Sequence, residues 1–166
     1  LPLWHGCSAA VADEIMSKGP AYLAKTDDGP FGAGVYLTPQ PEYAATFPAS
    51  KLSGSTGVGE VVLLLCAVCV GSAYPLTRGA DMEVSESGVM QCKYRNRPLH
   101  PGCDAHYVLV DVHKCFSPPQ ADSPSRQHFE EVVVASGAQV LPLAKVVAKA
   151  DWSKLSMHLL SCSPES

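Results

Sequence analysis

With 46% hydrophobic and 17% charged side chains, the 166-residue chain has enough apolar content for one core and lies far from the composition of disordered proteins. A formal charge of -4 with scattered Lys and Arg excludes the basic stripe that grips a duplex phosphate backbone, and the longest apolar run, Val61 to Val70, is half the ~20 residues of a membrane span. Seven cysteines, several inside apolar runs, suit free thiols in a reducing compartment, which predicts an intracellular address, cytoplasmic or nuclear.

The chain opens at Leu1 without a charged-then-apolar leader, and it reads as a monomeric domain of a larger protein. Leu1 to His5 is a short apolar stretch that meets Gly6, and Ser8 offers an N-cap for a helix over Ala9 to Lys18, where Val11, Ile15 and Met16 recur at helical spacing. Gly19-Pro20 stops that helix. Asp27-Asp28-Gly29-Pro30 and the glycines up to Gly34 predict a mobile loop. Val35 to Thr38 follows as a brief strand, and Pro39 and Pro41 suit the first turn of a helix reaching about Phe47.

After a Ser/Gly-rich spacer, Gly59 to Val70 reads as a central strand buried on both faces. Tyr74 to Gly102 is polar and irregular. His106 to Val112 and Phe129 to Ala135 predict strands separated by a loop from Ser117 to Arg126, and Gln139 to Val147 predicts another. Asp151 to Leu160 predicts a short closing helix before a frayed Ser-rich end. The expected organisation is one domain over 1–166, with a core over 1–150 and the closing helix and tail over 151–166.

Three segments stand out together: Leu3-Trp4-His5-Gly6-Cys7-Ser8, then Phe31-Gly32-Ala33-Gly34-Val35-Tyr36-Leu37-Thr38-Pro39, then Phe129-Glu130-Glu131-Val132-Val133-Val134 with Gln139 eight positions after Glu131. In this order they resemble the His-Tyr-Glu class of ADP-ribosyltransferases, the poly(ADP-ribose) polymerase-like branch of the diphtheria-toxin-type fold. The resemblance implies an α+β domain of two packed, largely antiparallel β-sheets with a few peripheral helices, and an NAD+ cleft between them. It implies NAD+ as co-substrate without a metal, and a protein acceptor or a nucleic-acid end.

The resemblance also assigns roles. His5 would hydrogen-bond the adenosine ribose while the backbone of Gly6 clamps the nicotinamide carboxamide, an approach only glycine permits. Tyr36, after Gly34, would pack against nicotinamide, and Phe47, eleven positions on, would close the sandwich; stacking a pyridinium between aromatic faces adds ~1 to 2 kcal/mol. Glu131 would hold a ribose hydroxyl and stabilise the positive charge that develops as nicotinamide leaves. Glu130 is its rival, and only one of two successive strand residues can face the cleft. The spacing to Gln139 selects Glu131.

Two positions depart from the pattern. Relatives carry a small hydroxyl residue at the place of Ala44, a loss of about 1 kcal/mol of hydrogen bonding, and often a tyrosine at the place of Phe47. Ser8, Thr38 and Thr46 are candidates to compensate. These departures motivate a rival reading as a catalytically weak NAD+ or ADP-ribose sensor. An RNA 2'-phosphotransferase, which shares the fold, relies on further basic residues that the chain does not display. Cys66-Ala67-Val68-Cys69 has zinc-knuckle spacing, but strand residues three apart point to opposite faces.

Overall fold

A computed structural model of the chain describes residues 1–20, 29–47, 58–85, 88, 90–111 and 128–151. Strand β1 (Pro2–Cys7) gives way to helix α1 (Ala9–Lys18) at Ser8, whose extended backbone starts the helix and whose Oγ accepts from the Val11 N–H. The helix buries Ala12 and Ile15, and Gly19, at φ 81°, ends it by donating its N–H to the Ile15 carbonyl. Both ends fall where the sequence put them. Next come β2 (Val35–Leu37), a helix α2 (Pro41–Ala44) and β3 (Val58–Val68). After a turn at Ala45 the chain is helical again at Thr46 and Phe47, so helical structure reaches the expected end; at the break the Thr46 hydroxyl donates to the Tyr43 carbonyl at 2.7 Å.

The segment read as irregular holds small elements instead: β4 (Ala73–Pro75), α3 (Arg78–Asp81), and a hairpin of β5 (Met82–Val84) with β6 (Met90–Cys92). Their pairing partners are either distant in sequence or only three residues long, so no period announces them. Strands β7 (Ala105–Asp111), β8 (His128–Val134) and β9 (Val140–Asp151) complete the chain order. Strand β9 runs four residues beyond the predicted end and takes in Asp151, the expected first residue of the closing helix. The rest of that helix and tail, the 117–126 loop, the Ser/Gly spacer and part of the predicted mobile loop lie outside the described residues.

Two main sheets result. One has the order β1-β3-β9, all antiparallel, with β3 in the centre as expected; the other has the order β2-β8-β7-β4, antiparallel except for the β4–β7 pair. Leu3, Cys7, Leu64, Cys66 and Val68 from the first sheet meet Val35, Leu37, Val132 and Val134 from the second, with Ala12 and Ile15 of α1 closing the layer. On the other face of β3, Val61 and Leu63 pack with Trp4, Ala44 and Ala45. This is the expected α+β arrangement of two packed, largely antiparallel sheets with peripheral helices.

The space between the sheets is packed rather than open. Tyr36, Phe129 and Val133 project from the opposite face of the second sheet, among Phe31, Tyr43, Leu76, Cys92 and Leu99. Alternation along β2 and β8 sends Val35, Leu37, Val132 and Val134 into the layer between the sheets and Tyr36, Glu131 and Val133 to the other face. A 3-10 turn, Gly137–Gln139, locks the corner. Gln139 accepts from the Ser136 N–H at 2.9 Å, and its amide donates to the carbonyls of Cys69 at 3.0 Å and Asp104 at 3.1 Å.

Candidate active site

The two sheets join where β1 meets the end of β2. Trp4 and Thr38 exchange backbone hydrogen bonds of 2.7 and 3.0 Å, an isolated antiparallel bridge. The same approach brings the His5 ring to the main chain of Tyr36, with Nδ1 donating to the Tyr36 carbonyl at 2.9 Å. His5 and Gly6 lie half-buried on β1, opposite Leu64 and Leu63.

Tyr36 is held from its other end as well. Its hydroxyl accepts from the Phe31 N–H at 2.9 Å and donates to the Gly32 carbonyl at 2.7 Å, so the ring is fixed against the glycine loop that precedes it. Gly29 touches this ring so closely that a Cβ would overlap it, and a Cβ on Gly34 would strike the backbone carbonyl of Val134. These glycines serve close approach between backbone and neighbour. Phe31 is held a second time by His106, which is fully buried: Nε2 accepts from the His100 N–H at 2.8 Å, which places the proton on Nδ1, and Nδ1 donates to the Phe31 carbonyl at 2.6 Å. Burial foremost, against that hydrogen bond, holds the His106 pKa below its ordinary value.

Glu131 sits on β8, two residues along from Val133, the partner of Tyr36 in the β2–β8 ladder. Residues two apart share a face, so its carboxyl lies on the Tyr36 side of the sheet. Glu130 points the other way, where its carboxyl meets the Tyr107 hydroxyl, and its N–H donates to the side chain of Gln40. Glu131 is 1% exposed, and its Oε1 accepts a 2.7 Å hydrogen bond from the Tyr43 hydroxyl. Oε2 is the buried side-chain polar atom without a partner among the described residues. Burial pushes this carboxyl up from its ordinary 4.5 to about 7, with the Tyr43 hydrogen bond pulling the other way. The Tyr43 hydroxyl is itself raised, first by burial and then by the charge of Glu131.

Aromatic rings frame this pair. Tyr43 stacks on Phe129 with centroids 4.5 Å apart and meets Phe47 edge-on at 5.3 Å. Phe47 thus lies beside the carboxylate's partner. Ser8 spends its hydroxyl on the α1 cap, and Ala44, 1% exposed, packs in the cluster with Trp4. Sequence reasoning missed Tyr43, which no short motif marks, and His106, which it left unassigned.

Orphaned buried carboxylate oxygens are scarce in folded proteins and call for an occupant. Oε2 of Glu131 is such an oxygen, set beside the packed rings of Tyr43, Phe129 and Phe47 and suited to a hydroxyl such as that of a ribose. Among the described residues no group of three His, Cys, Asp or Glu side chains could hold a metal ion, and no helix is long and apolar enough to cross a membrane. No curated protein matches the chain. The family profile of the poly(ADP-ribose) polymerase catalytic domain, whose members take NAD+ as substrate, matches residues 2–137, a span that includes His5, Tyr36 and Glu131, and the chain belongs to that family of ADP-ribosyltransferase domains.

Proposed function

We propose that this domain cleaves the nicotinamide glycosidic bond of NAD+ and transfers ADP-ribose to a protein side chain, with His5, Tyr36 and Glu131 at the centre of the site. The carrying observation is the Glu131 carboxylate, buried on the Tyr36 face of the sheet with Oε2 unpartnered. In this reading Oε2 accepts from a ribose hydroxyl, orients the sugar and stabilises the charge that grows on it as neutral nicotinamide departs. His5, its ring set by the Tyr36 carbonyl, and the Gly6 backbone hold the nucleotide; Tyr36 and Phe47 supply ring faces for nicotinamide, with Ser8, Gly34 and Ala44 along the wall. The reaction requires no metal, the acceptor is a protein with a nucleic-acid end as the alternative, and residues 1–166 act as one intracellular domain.

Incubating the protein with NAD+ labelled in its adenosine moiety tests this. The expected outcome is labelled protein, with Glu131→Gln lowering turnover about a hundredfold or more while NAD+ binding persists. Glu130→Gln, on the other face, is expected to stay within a few-fold of the unmodified protein. Binding without turnover would establish the sensor reading instead, and NAD+-dependent loss of an RNA 2'-phosphate would establish the phosphotransferase.

A further inference from the structure

We infer that Tyr43 reserves one oxygen of Glu131 and thereby limits this site to a single ADP-ribose per acceptor. The inference rests on the transferase reading above and names the product it yields.

A carboxylate that both orients the donor ribose and deprotonates an incoming hydroxyl needs, for each task, an oxygen not engaged elsewhere. In Glu131, buried Oε2 has no partner among the described residues and Oε1 is engaged by the Tyr43 phenol at 2.7 Å. A carboxylate oxygen has a second lone pair, but Glu131 is 1% exposed and the Tyr43 phenol already lies against Oε1. The Tyr43 ring, 8% exposed, is clamped by the parallel face of Phe129 at 4.5 Å and by a T-shaped contact with Phe47 at 5.3 Å. Moving the phenol aside would break both ring contacts and leave two buried polar groups unpaired.

The chemistry of elongation makes this decisive. In each transfer the bond from the anomeric carbon to nicotinamide breaks, its electron pair leaves with neutral nicotinamide, and an acceptor oxygen bonds the same carbon. A carboxylate acceptor arrives without a proton and needs no base. Elongation uses a ribose hydroxyl of the ADP-ribose already attached, a neutral nucleophile whose proton must pass to a base as the bond forms. With Oε2 on the donor and Oε1 on Tyr43, Glu131 cannot take it.

The test compares the unmodified protein with Tyr43→Phe, which keeps the ring stack and removes the hydroxyl. Each is labelled with NAD+ in excess, and the modified protein is then cleaved at its pyrophosphates. A single unit releases only AMP, whereas an internal unit releases a nucleotide carrying a second ribose phosphate. The expected result is AMP alone from the unmodified protein and the larger nucleotide in addition from Tyr43→Phe. The acid limb of kcat/KM for NAD+ consumption should also move to higher pH in the variant, since the phenol hydrogen bond is what holds the carboxyl down; a purely structural role for the ring would leave it in place. Elongated product from the unmodified protein overturns the inference by itself, whether or not the variant folds. So does a folded Tyr43→Phe that yields AMP alone or no labelled protein. Absence of any transfer by the unmodified protein, with NAD+ intact, removes the transferase reading and this inference with it.

Discussion

Glu131 carries a free-energy cost that depends on pH. Its pKa rises from 4.5 in an exposed chain to about 7 in the fold, so the folded state binds the proton more tightly and stability falls as pH rises. The cost is absent below 4.5, grows between 4.5 and about 7, and is constant above; at ~1.4 kcal/mol per pH unit it reaches roughly 3 kcal/mol. Glu131→Gln has no such charge to bury. The stability difference between Glu131→Gln and the unmodified protein, measured by urea unfolding, should shift in favour of the variant by roughly 3 kcal/mol between pH 4 and pH 8. A difference independent of pH would mean that the carboxylate is solvated. His5, Tyr36 and Glu131 stand out as candidates in the sequence because each lies in a local motif. Tyr43 does not, because its meaning comes from a partner 88 positions away. Ala44 reads in the sequence as a lost hydroxyl, and in the fold it is also a small apolar residue fitted among Ala45, Val61, Leu63 and Trp4.

His106 does for two backbone segments what Tyr43 does for one carboxyl. Its ring nitrogens join the Phe31 carbonyl of the glycine loop to the His100 N–H of the turn before β7, and this works only for the neutral tautomer. A proton on Nε2 would face a donor. His100, stacked on Tyr74, adds repulsion to that proton, and Asp81 attracts it more weakly. Because the folded pKa lies below the ordinary 6.5, this contribution is fully present above pH 6.5 and is lost as pH falls through the depressed value. His106→Leu leaves a buried carbonyl and an N–H unpaired, so thermal unfolding should report a loss of about 2 to 4 kcal/mol at pH 8 and a flatter stability profile below pH 6. Elements with strong local signals were read well: the Ser8-capped helix, the apolar β3, and β8 with its alternation. The three-residue strands β4, β5 and β6 were invisible, since so short a run shows no period and Pro75 argues against a strand except at an edge, which is where it lies.

At the scale of the molecule, one apolar cluster fills the layer between the two sheets and a second covers the face of β2 and β8 that carries Tyr36 and Glu131. Among the described residues, the last strand of either sheet ends at Asp151. A chain ended after Asp151 should keep the β-rich circular dichroism spectrum and a single cooperative unfolding transition; loss of cooperativity would assign the remaining residues to the core. The expected α+β class was legible because the three motifs fix the family. The face that carries Tyr36 and Glu131 was not, because it follows from which face of β2 and β8 the core selects.

Tyr36 is gripped at both ends, its phenol by Phe31 and Gly32 and its carbonyl by the imidazole of His5. The residue is thus a rigid crossbar between the glycine loop and the opening strand, and a displacement at one end is delivered to the other. Enlarging Gly29 to Ala, which crowds the phenol, should register in the nitrogen chemical shifts of the His5 ring although nothing at His5 has been altered. A nucleotide that pushes on the loop would be sensed by the first strand through the same lever.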